Sequence, residues 1–261
     1  MGRGFGVSAI VGHDVVAQLA GEAEQLGYTS FWVNDIPDHD GLESLAAAST
    51  STTAIKLGVG VIPLDERSPA DIDRDVESHE LPLGRLLLGV GSGGRRDALA
   101  RVRAGVAELK QLTNSAIVVG ALGPKMSELS GEVADGVLLN WMTADYLADA
   151  GALVRRAAEC ASRPIPSLMA YVRCGLTPQA DVRLERELAF YESEPLFHEH
   201  LDRMGARARD TCVIAGNSDG LQDGIAPFEA VLDETIVRAI TPTDGLADLQ
   251  TLLRACAPRR A

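Results

Sequence analysis

The sequence predicts an α/β protein built as a closed (β/α)8 barrel, and three observations lead there. Eight short apolar runs rich in Val, Ile and Leu alternate with helical patterns along the 261 residues. Most of these runs are continuous rather than alternating, which is how parallel strands buried on both faces read. The length also suits one barrel, a fold that commonly occupies about 250 residues. No linker of Ser, Gly and Pro, low-complexity tract or long charge run divides the chain. It is therefore read as a single domain over residues 1–261.

The expected strands are Gly4–Ile10, Thr29–Val33, Lys56–Ile62, Arg85–Val90, Ala116–Val119, Val137–Leu139, Ser167–Cys174 and Thr235–Ile240. After the first, Val15, Val16, Leu19 and Leu26 share one helical face, which Gly27 stops. Asp40 followed by Glu43 has capping-box form and opens an Ala-rich helix over 41–52. The link from the fourth strand to the fifth, Gly94 to Asn114, has room for roughly one helix. Pro124 suits a first helical position, where its missing N–H would have no partner. Thr143 is placed to cap a long helix with Leu147, Ala150, Leu153, Val154 and Ala157 on one face. One or two helices fit 178–204, whereas the glycines and charges of 205–226 read as a loop. Leu246, Leu249, Leu252 and Leu253 give the last helix its inward stripe.

Composition bounds the function. The chain is 46% hydrophobic but only 4% aromatic, so its core is built from Ala, Val, Leu and Ile. A net charge of −13 argues against nucleic acid or an anionic membrane as partner. It leaves room for an anionic cofactor held by a few local donors. Cys160, Cys174, Cys212 and Cys256 lie far apart, without zinc-site or redox-motif spacing, and read as reduced thiols. His13 and Asp14 interrupt the N-terminal apolar pattern, and no segment is long enough to span a bilayer. A soluble, cytoplasmic protein is expected.

The active site of such a barrel lies at the C-terminal ends of its strands. That rule singles out Asn34, Asp35, Ile62, Ser92, Ala121, Asn140, Arg173 and Thr241. Ser115 to Thr143 is the most informative stretch. Its first apolar run ends in Gly120-Ala121-Leu122-Gly123-Pro124-Lys125 and its second in Asn140-Trp141. Gly120 and Gly123 let backbone approach a ligand closely, and the free N–H groups of the following helix start face an anion. An ordinary strand-to-helix turn uses the same residue types. His39, between Asp38 and Asp40, has the chemistry for proton exchange near neutral pH; its flanks equally describe a solvated surface residue. Gly89 to Gly94 satisfies G-x-G-x-x-G, yet the next strand ends in Gly120 rather than an acidic residue, which argues against a dinucleotide finger. His198 and His200 are two apart and share no helical face, so no metal site is expected.

These stretches also carry a resemblance. The segments Leu26–Asp35 (LGYTSFWVND), Lys56–Pro63 (KLGVGVIP), Gly84–Gly93 (GRLLLGVGSG) and the ALGPKM…ADGVLLNW pair occur in the order seen in luciferase-like flavin- and deazaflavin-dependent oxidoreductases. That superfamily has the TIM-barrel fold. The likeness is to its coenzyme F420-using branch, near methylenetetrahydromethanopterin reductase-like proteins. It implies hydride transfer between F420, with FMN as the alternative, and an unknown small organic substrate, in a homodimer. It further implies that Gly120, Ala121, Leu122, Gly123, Pro124 and Lys125 hold the cofactor phosphate, with Asn34 and Asn140 also at the cofactor. For Asn140, bonding the ring edge and capping the loop are both open. Gly60-Val61 matches a position where relatives hold a non-prolyl cis peptide under the cofactor ring; close packing is the other reading.

Asp35, and His39 after it, are the catalytic candidates. Relatives place histidine directly after the acidic residue, where this chain has Ile36. Trp141 reads as a wall of the pocket. Relatives insert several tens of residues after strand four, so this chain reads as a shortened member with a reduced insertion and a more open site. Two other functions fit the same fold: a non-catalytic flavin- or deazaflavin-binding protein, and an FMN-dependent monooxygenase.

Overall fold

Eight parallel strands close on themselves in the computed structural model, which describes residues 1–259. They are β1 (Gly2–Ser8), β2 (Ser30–Asn34), β3 (Lys56–Pro63), β4 (Leu86–Gly91), β5 (Ala116–Ala121), β6 (Gly136–Asn140), β7 (Ser167–Leu176) and β9 (Glu234–Ala239). Hydrogen bonds link them in that order, and β9 returns to β1. The helices α1 (His13–Leu26), α2 (Gly41–Thr50), α3 (Pro69–Ser78), α4 (Ala98–Leu112), α5 (Pro124–Val133), α6 (Ala144–Cys160) and α10 (Leu246–Ala255) run between and after them. All eight expected strands are present, with ends shifted by a few residues. Only α4 separates β4 from β5, so the reduced insertion is real.

The start and stop signals act as their chemistry requires. Gly27 ends α1 at φ 90°, a left-handed conformation that costs glycine little. The Asp40 carboxylate accepts from the N–H groups of Leu42 and Glu43, and the Thr143 hydroxyl accepts from Tyr146 N–H.

The excursion between β7 and β9 is richer than its sequence suggests. It contains α7 (Asp181–Ser193), α8 (Pro195–Met204), a 3-10 turn (Ala208–Thr211), β8 (Cys212–Ala215) and α9 (Ser218–Glu229). The reading of 205–226 as a loop is therefore corrected. β8 is an apolar run of only four residues, three of them half-buried, set among the glycines and charges of 205–226. It pairs with the upper part of β7, Arg173 to Leu176, beyond the end of β6. Helix α9 contains Gly220, Gly224 and Pro227, all poor helix formers. Buried Leu221, Ile225 and Phe228 hold it in place. Its glycines have a packing reason: a Cβ on Gly224 would stand 2.5 Å from Val213, and one on Gly220 2.8 Å from Ala215.

Inside the barrel, two aromatic rings do what a larger set of aliphatic side chains does elsewhere. Trp32 and Tyr171 meet edge to face, 6.1 Å between centroids. Leu87, Val118, Leu138, Met169 and Ile236 complete this inner cluster. Glycines on neighbouring strands make the room: a Cβ on Gly6 would stand 3.1 Å from the Tyr171 ring, and one on Gly58 2.6 Å or less from the Trp32 indole. Below them the indole N–H of Trp32 donates to Ser30 Oγ at 2.6 Å, and that hydroxyl donates to Glu234 at 2.8 Å. The inner layer is thus anchored to a satisfied polar floor.

Outside the barrel, Glu24 on α1 pins the loop ahead of β3. Its carboxylate accepts from the N–H groups of Thr53 (3.1 Å), Ala54 (2.6 Å) and Ile55 (2.7 Å). Burial pushes its pKa up, but these three donors and Arg85 outweigh burial and bring it below the usual value. A depressed carboxyl contributes stability above its unfolded pKa and loses it as pH falls through the folded one. Glu24→Ala is expected to cost about 1–2 kcal/mol at pH 7. Denaturant titration should show that gap close as pH falls below 4.

Candidate functional site

The C-terminal ends of β3 to β7 enclose a cleft of about 290 Å³, near the lower end of the range for small-molecule sites. Its floor starts at Gly60-Val61. This peptide is cis and sits where the β3–β4 register breaks between Val59 and Ile62. The break carries Val61 across the mouth. A Cβ on Gly91 would stand 2.8 Å from Val61, and one on Gly120 3.1 Å, so glycines of β4 and β5 create the space it occupies. Beneath lies Tyr171, whose hydroxyl would be 2.5 Å from a Cβ on Gly60. That hydroxyl is buried without a hydrogen-bond partner. Burial raises its pKa far above the usual phenol value, so it is a neutral donor and acceptor at the cleft floor.

Asp35, Gly60, Val61, Gly120, Ala121, Leu122 and Asn140 all line this cleft, together with Ser92. Gly123 and Pro124 border an adjoining hollow of about 70 Å³, which shares Leu122 with the cleft. No side chain caps the start of α5. Lys125 is exposed in its first turn. The guanidinium of Arg203, on α8, lies 3.5 Å from where a Gly123 side chain would begin. Two cations therefore flank a helix N-terminus, an arrangement that suits an anion.

Asp35 accepts from Gly41 N–H at 2.9 Å, and its side chain is only 9% exposed. Arg67 stands 3.7 Å from Asp35 and 3.5 Å from Asp40. Burial raises the Asp35 pKa above the usual carboxylate value, although Gly41 N–H and Arg67 oppose it. A raised carboxyl withdraws stability as pH rises through its folded pKa. Asp35→Asn keeps an acceptor for Gly41, so its melting temperature should exceed that of wild type at pH 7. The two should melt together near pH 3, and a lower value for the variant at pH 7 would contradict the assignment.

Other expected residues lie elsewhere. His39 is exposed on the Ile36–His39 turn and does not line the cleft. Asn34 ends β2 outside the cleft lining, with its Oδ1 buried and unpartnered. Ile62 packs into the outer core, and Thr241 lines a separate hollow beside α10. Trp141 is not a pocket wall: at φ 55° it turns away from β6 and is buried beneath α7 and α8. The physical reason is Arg173, whose guanidinium carbon stands 3.3 Å above the Trp141 ring. His200 is buried beside it and donates from Nε2 to the Trp141 carbonyl at 2.9 Å. Among the described residues no group of His, Cys, Asp or Glu could hold a metal.

The site is also less open than the short β4–β5 link implies. Phe197 on α8 lines the cleft, and Glu199 reaches Arg95 beyond β4 at 3.0 Å. The wall comes from the excursion after β7 instead. Sequence reasoning missed Tyr171, Phe197 and Arg203. For Tyr171 a signal existed, since an inward aromatic two residues before Arg173 faces a run of glycines. Phe197 and Arg203 gave none.

Comparison with known proteins identifies the family. The sequence model of the luciferase-like monooxygenase family matches residues 7–113 and 103–241. The chain belongs to this family. Within it, a 5,10-methylenetetrahydromethanopterin reductase of Methanolobus tindarius is 29% identical over 174 residues, 52% of this chain and 53% of that one. The enzyme of the same name from Archaeoglobus fulgidus is 29% identical over 154 residues, covering 45% and 46%. The chain thus spans about half the length of the curated relatives it matches. Among solved structures, this luciferase-like chain is similar to an F420-dependent secondary alcohol dehydrogenase (TM-score 0.77, 13% identity, 97% of this chain and 98% of that one). The coenzyme F420-dependent tetrahydromethanopterin reductase of Methanopyrus kandleri gives 0.71 at 17% identity, covering 98% and 97%. The FMN-bound oxygenating constituent of 3,6-diketocamphane monooxygenase from Pseudomonas putida also gives 0.71, at 14% identity and 98% of both chains. No helix among the described residues is long and apolar enough to cross a membrane.

Proposed function

We propose that this chain is an oxidoreductase that binds F420 in the cleft above Gly60-Val61 and acts on a small organic molecule. One observation carries the reading: a cleft lined by Gly60, Val61, Gly91 and Gly120 adjoins an uncapped helix start flanked by two cations. The floor has the two features a polar ring system needs. Gly91 and Gly120 let Val61 lie across the mouth as an apolar support, and Tyr171 belongs to the same lining with its hydroxyl unpartnered. The names of the curated relatives add support for F420. FMN is the alternative, because an FMN-bound neighbour and an F420-dependent one are equally alike in fold.

The bound cofactor would supply hydride chemistry, and the chain would supply placement. Gly60, Val61 and Leu138 would support the ring. The free backbone N–H groups between Gly120 and Lys125 (Pro124 has none), with the Lys125 and Arg203 side chains, would hold the phosphate arm. Asn140 would meet the ring edge. Asp35, whose carboxyl burial pushes above the usual value, would exchange the proton that accompanies reduction or oxidation.

Titration of the purified chain with F420 and with FMN, followed by visible absorbance, tests the proposal. Tighter binding of F420 is expected. Binding of FMN alone would move the reading to the alternative, and binding of neither would end it. Gly120→Leu drives a side chain against Val61, which even a Cβ would crowd at 3.1 Å, so it should weaken binding by roughly a hundredfold or more and lower the melting temperature as well. Binding unchanged in this variant would place the ligand elsewhere.

A further inference from the structure

We infer that Arg173 is a positioning residue that turns Asn140 into an obligate hydrogen-bond donor, so that the cleft selects a ligand edge presenting an acceptor. The inference rests on the proposal that a flavin-type ring occupies the cleft. Arg173 Nη1 donates to Asn140 Oδ1 at 2.8 Å. A guanidinium carries donors only, so the Asn140 atom facing it must be oxygen. The Asn140 amine is then the group left for the cleft that this residue lines.

Arg173 has little freedom to release that oxygen. Its Nε donates to Glu187 Oε1 at 2.7 Å, its plane lies on Trp141, and Tyr191 stands 5.2 Å away on another side. The side chain is 4% exposed. Glu187 and Tyr191 belong to α7, so the excursion after β7 sets the polarity of the barrel mouth. Charge adds to the effect. Arg238 on β9 is in register with Arg173, is 9% exposed, and has no carboxylate within ion-pair distance among the described residues. Among the described residues Glu187 is the one carboxylate in contact with this pair, and it bonds Arg173 alone, so the charge of Arg238 stays unbalanced by contact. A ligand edge at Asn140 meets an N–H donor backed by positive charge. A carbonyl oxygen or a deprotonated ring nitrogen suits it, and a donor there does not.

Asn140→Asp separates this role from a structural one, because aspartate keeps the Arg173 partner and replaces the inward N–H by an acceptor. Its melting temperature should equal or exceed that of wild type, while Kd for FMN and F420 should rise about tenfold or more. Its loss should exceed that of Asn140→Ala, which removes the donor without adding a repulsive oxygen. Equal affinity in wild type and Asn140→Asp would overturn the inference. A cofactor-free measurement keeps the two readings distinct. The Asn140 side-chain amide pair, assigned in a ¹⁵N spectrum by its loss in Asn140→Ser, should shift in Arg173→Lys. An unmoved pair refutes positioning whatever binds. A shifted pair in a chain that binds neither cofactor sustains positioning and removes the proposed function.

Discussion

Gly89→Ala is expected to lower the melting temperature by roughly 10 °C, a loss of about 3–5 kcal/mol for a chain of this size. A Cβ at this position would lie well under 3.0 Å from the carbonyl oxygen of Val59, and 3.3 Å from Val61 Cγ1. The first conflict decides the magnitude. Side-chain tips can rotate away from an added methyl, but this obstacle is the backbone of the adjacent strand, in register with β4 up to Val59. Relief would require β3 and β4 to separate where the register breaks, at the floor of the cleft. Gly58→Ala meets a rigid indole rather than backbone, and should cost somewhat less. Gly84→Ala is the control: a Cβ there meets nothing within 4 Å, so its stability should stay within about 0.5 kcal/mol of wild type. Thermal melts of the three variants decide the matter. A Gly89→Ala protein melting with wild type would mean that the floor is not packed as described.

The barrel was legible because its strands are buried on both faces and therefore written as unbroken apolar runs. Val137-Leu138-Leu139 and Leu86-Leu87-Leu88 need no tertiary context to be recognised. β8 escaped the same reading because Cys212-Val213-Ile214-Ala215 is only four residues long and lies within a stretch of glycines and charges that reads as loop. Helix α9 failed for a different reason. Its glycines are placed by contact with β8, and a propensity argument cannot see that contact. The cleft shows the same division. Gly120 and Asn140 follow from turn chemistry and a strand end, which are local, whereas Gly60 follows from the family resemblance alone. Arg203 and Phe197 arrive on α8, whose packing over the mouth depends on Trp141 and the helix cluster around it. His39 is the converse case: suitable chemistry near a strand end, carried outward by a tight turn from Ile36.

Arg173→Met should destabilise the chain by about 3–5 kcal/mol at pH 7, because it leaves Glu187 as a buried carboxylate without its contacting partner. The pH dependence is the sharper expectation. Burial works to raise the Glu187 pKa, but Arg173, followed by Arg238, holds it below the usual value in wild type. Glu187 therefore contributes stability above the unfolded glutamate pKa and loses it as pH falls through the depressed folded value. Removing Arg173 leaves burial dominant and reverses the sign: the folded pKa rises, and the penalty grows as pH rises through it. The gap between wild type and Arg173→Met should thus be widest near neutrality and shrink on acidification, as protonation relieves the buried charge. In Arg173→Met/Glu187→Met the charge is gone altogether, and most of the stability should return. What remains lost is the hydrogen bond to Asn140 Oδ1, worth about 1 kcal/mol. Urea titrations of the three proteins at pH 7 and pH 4.5 measure each quantity. A gap of the same size at both pH values would show that Arg173 holds the mouth by packing on Trp141 and Tyr191 rather than by neutralising Glu187.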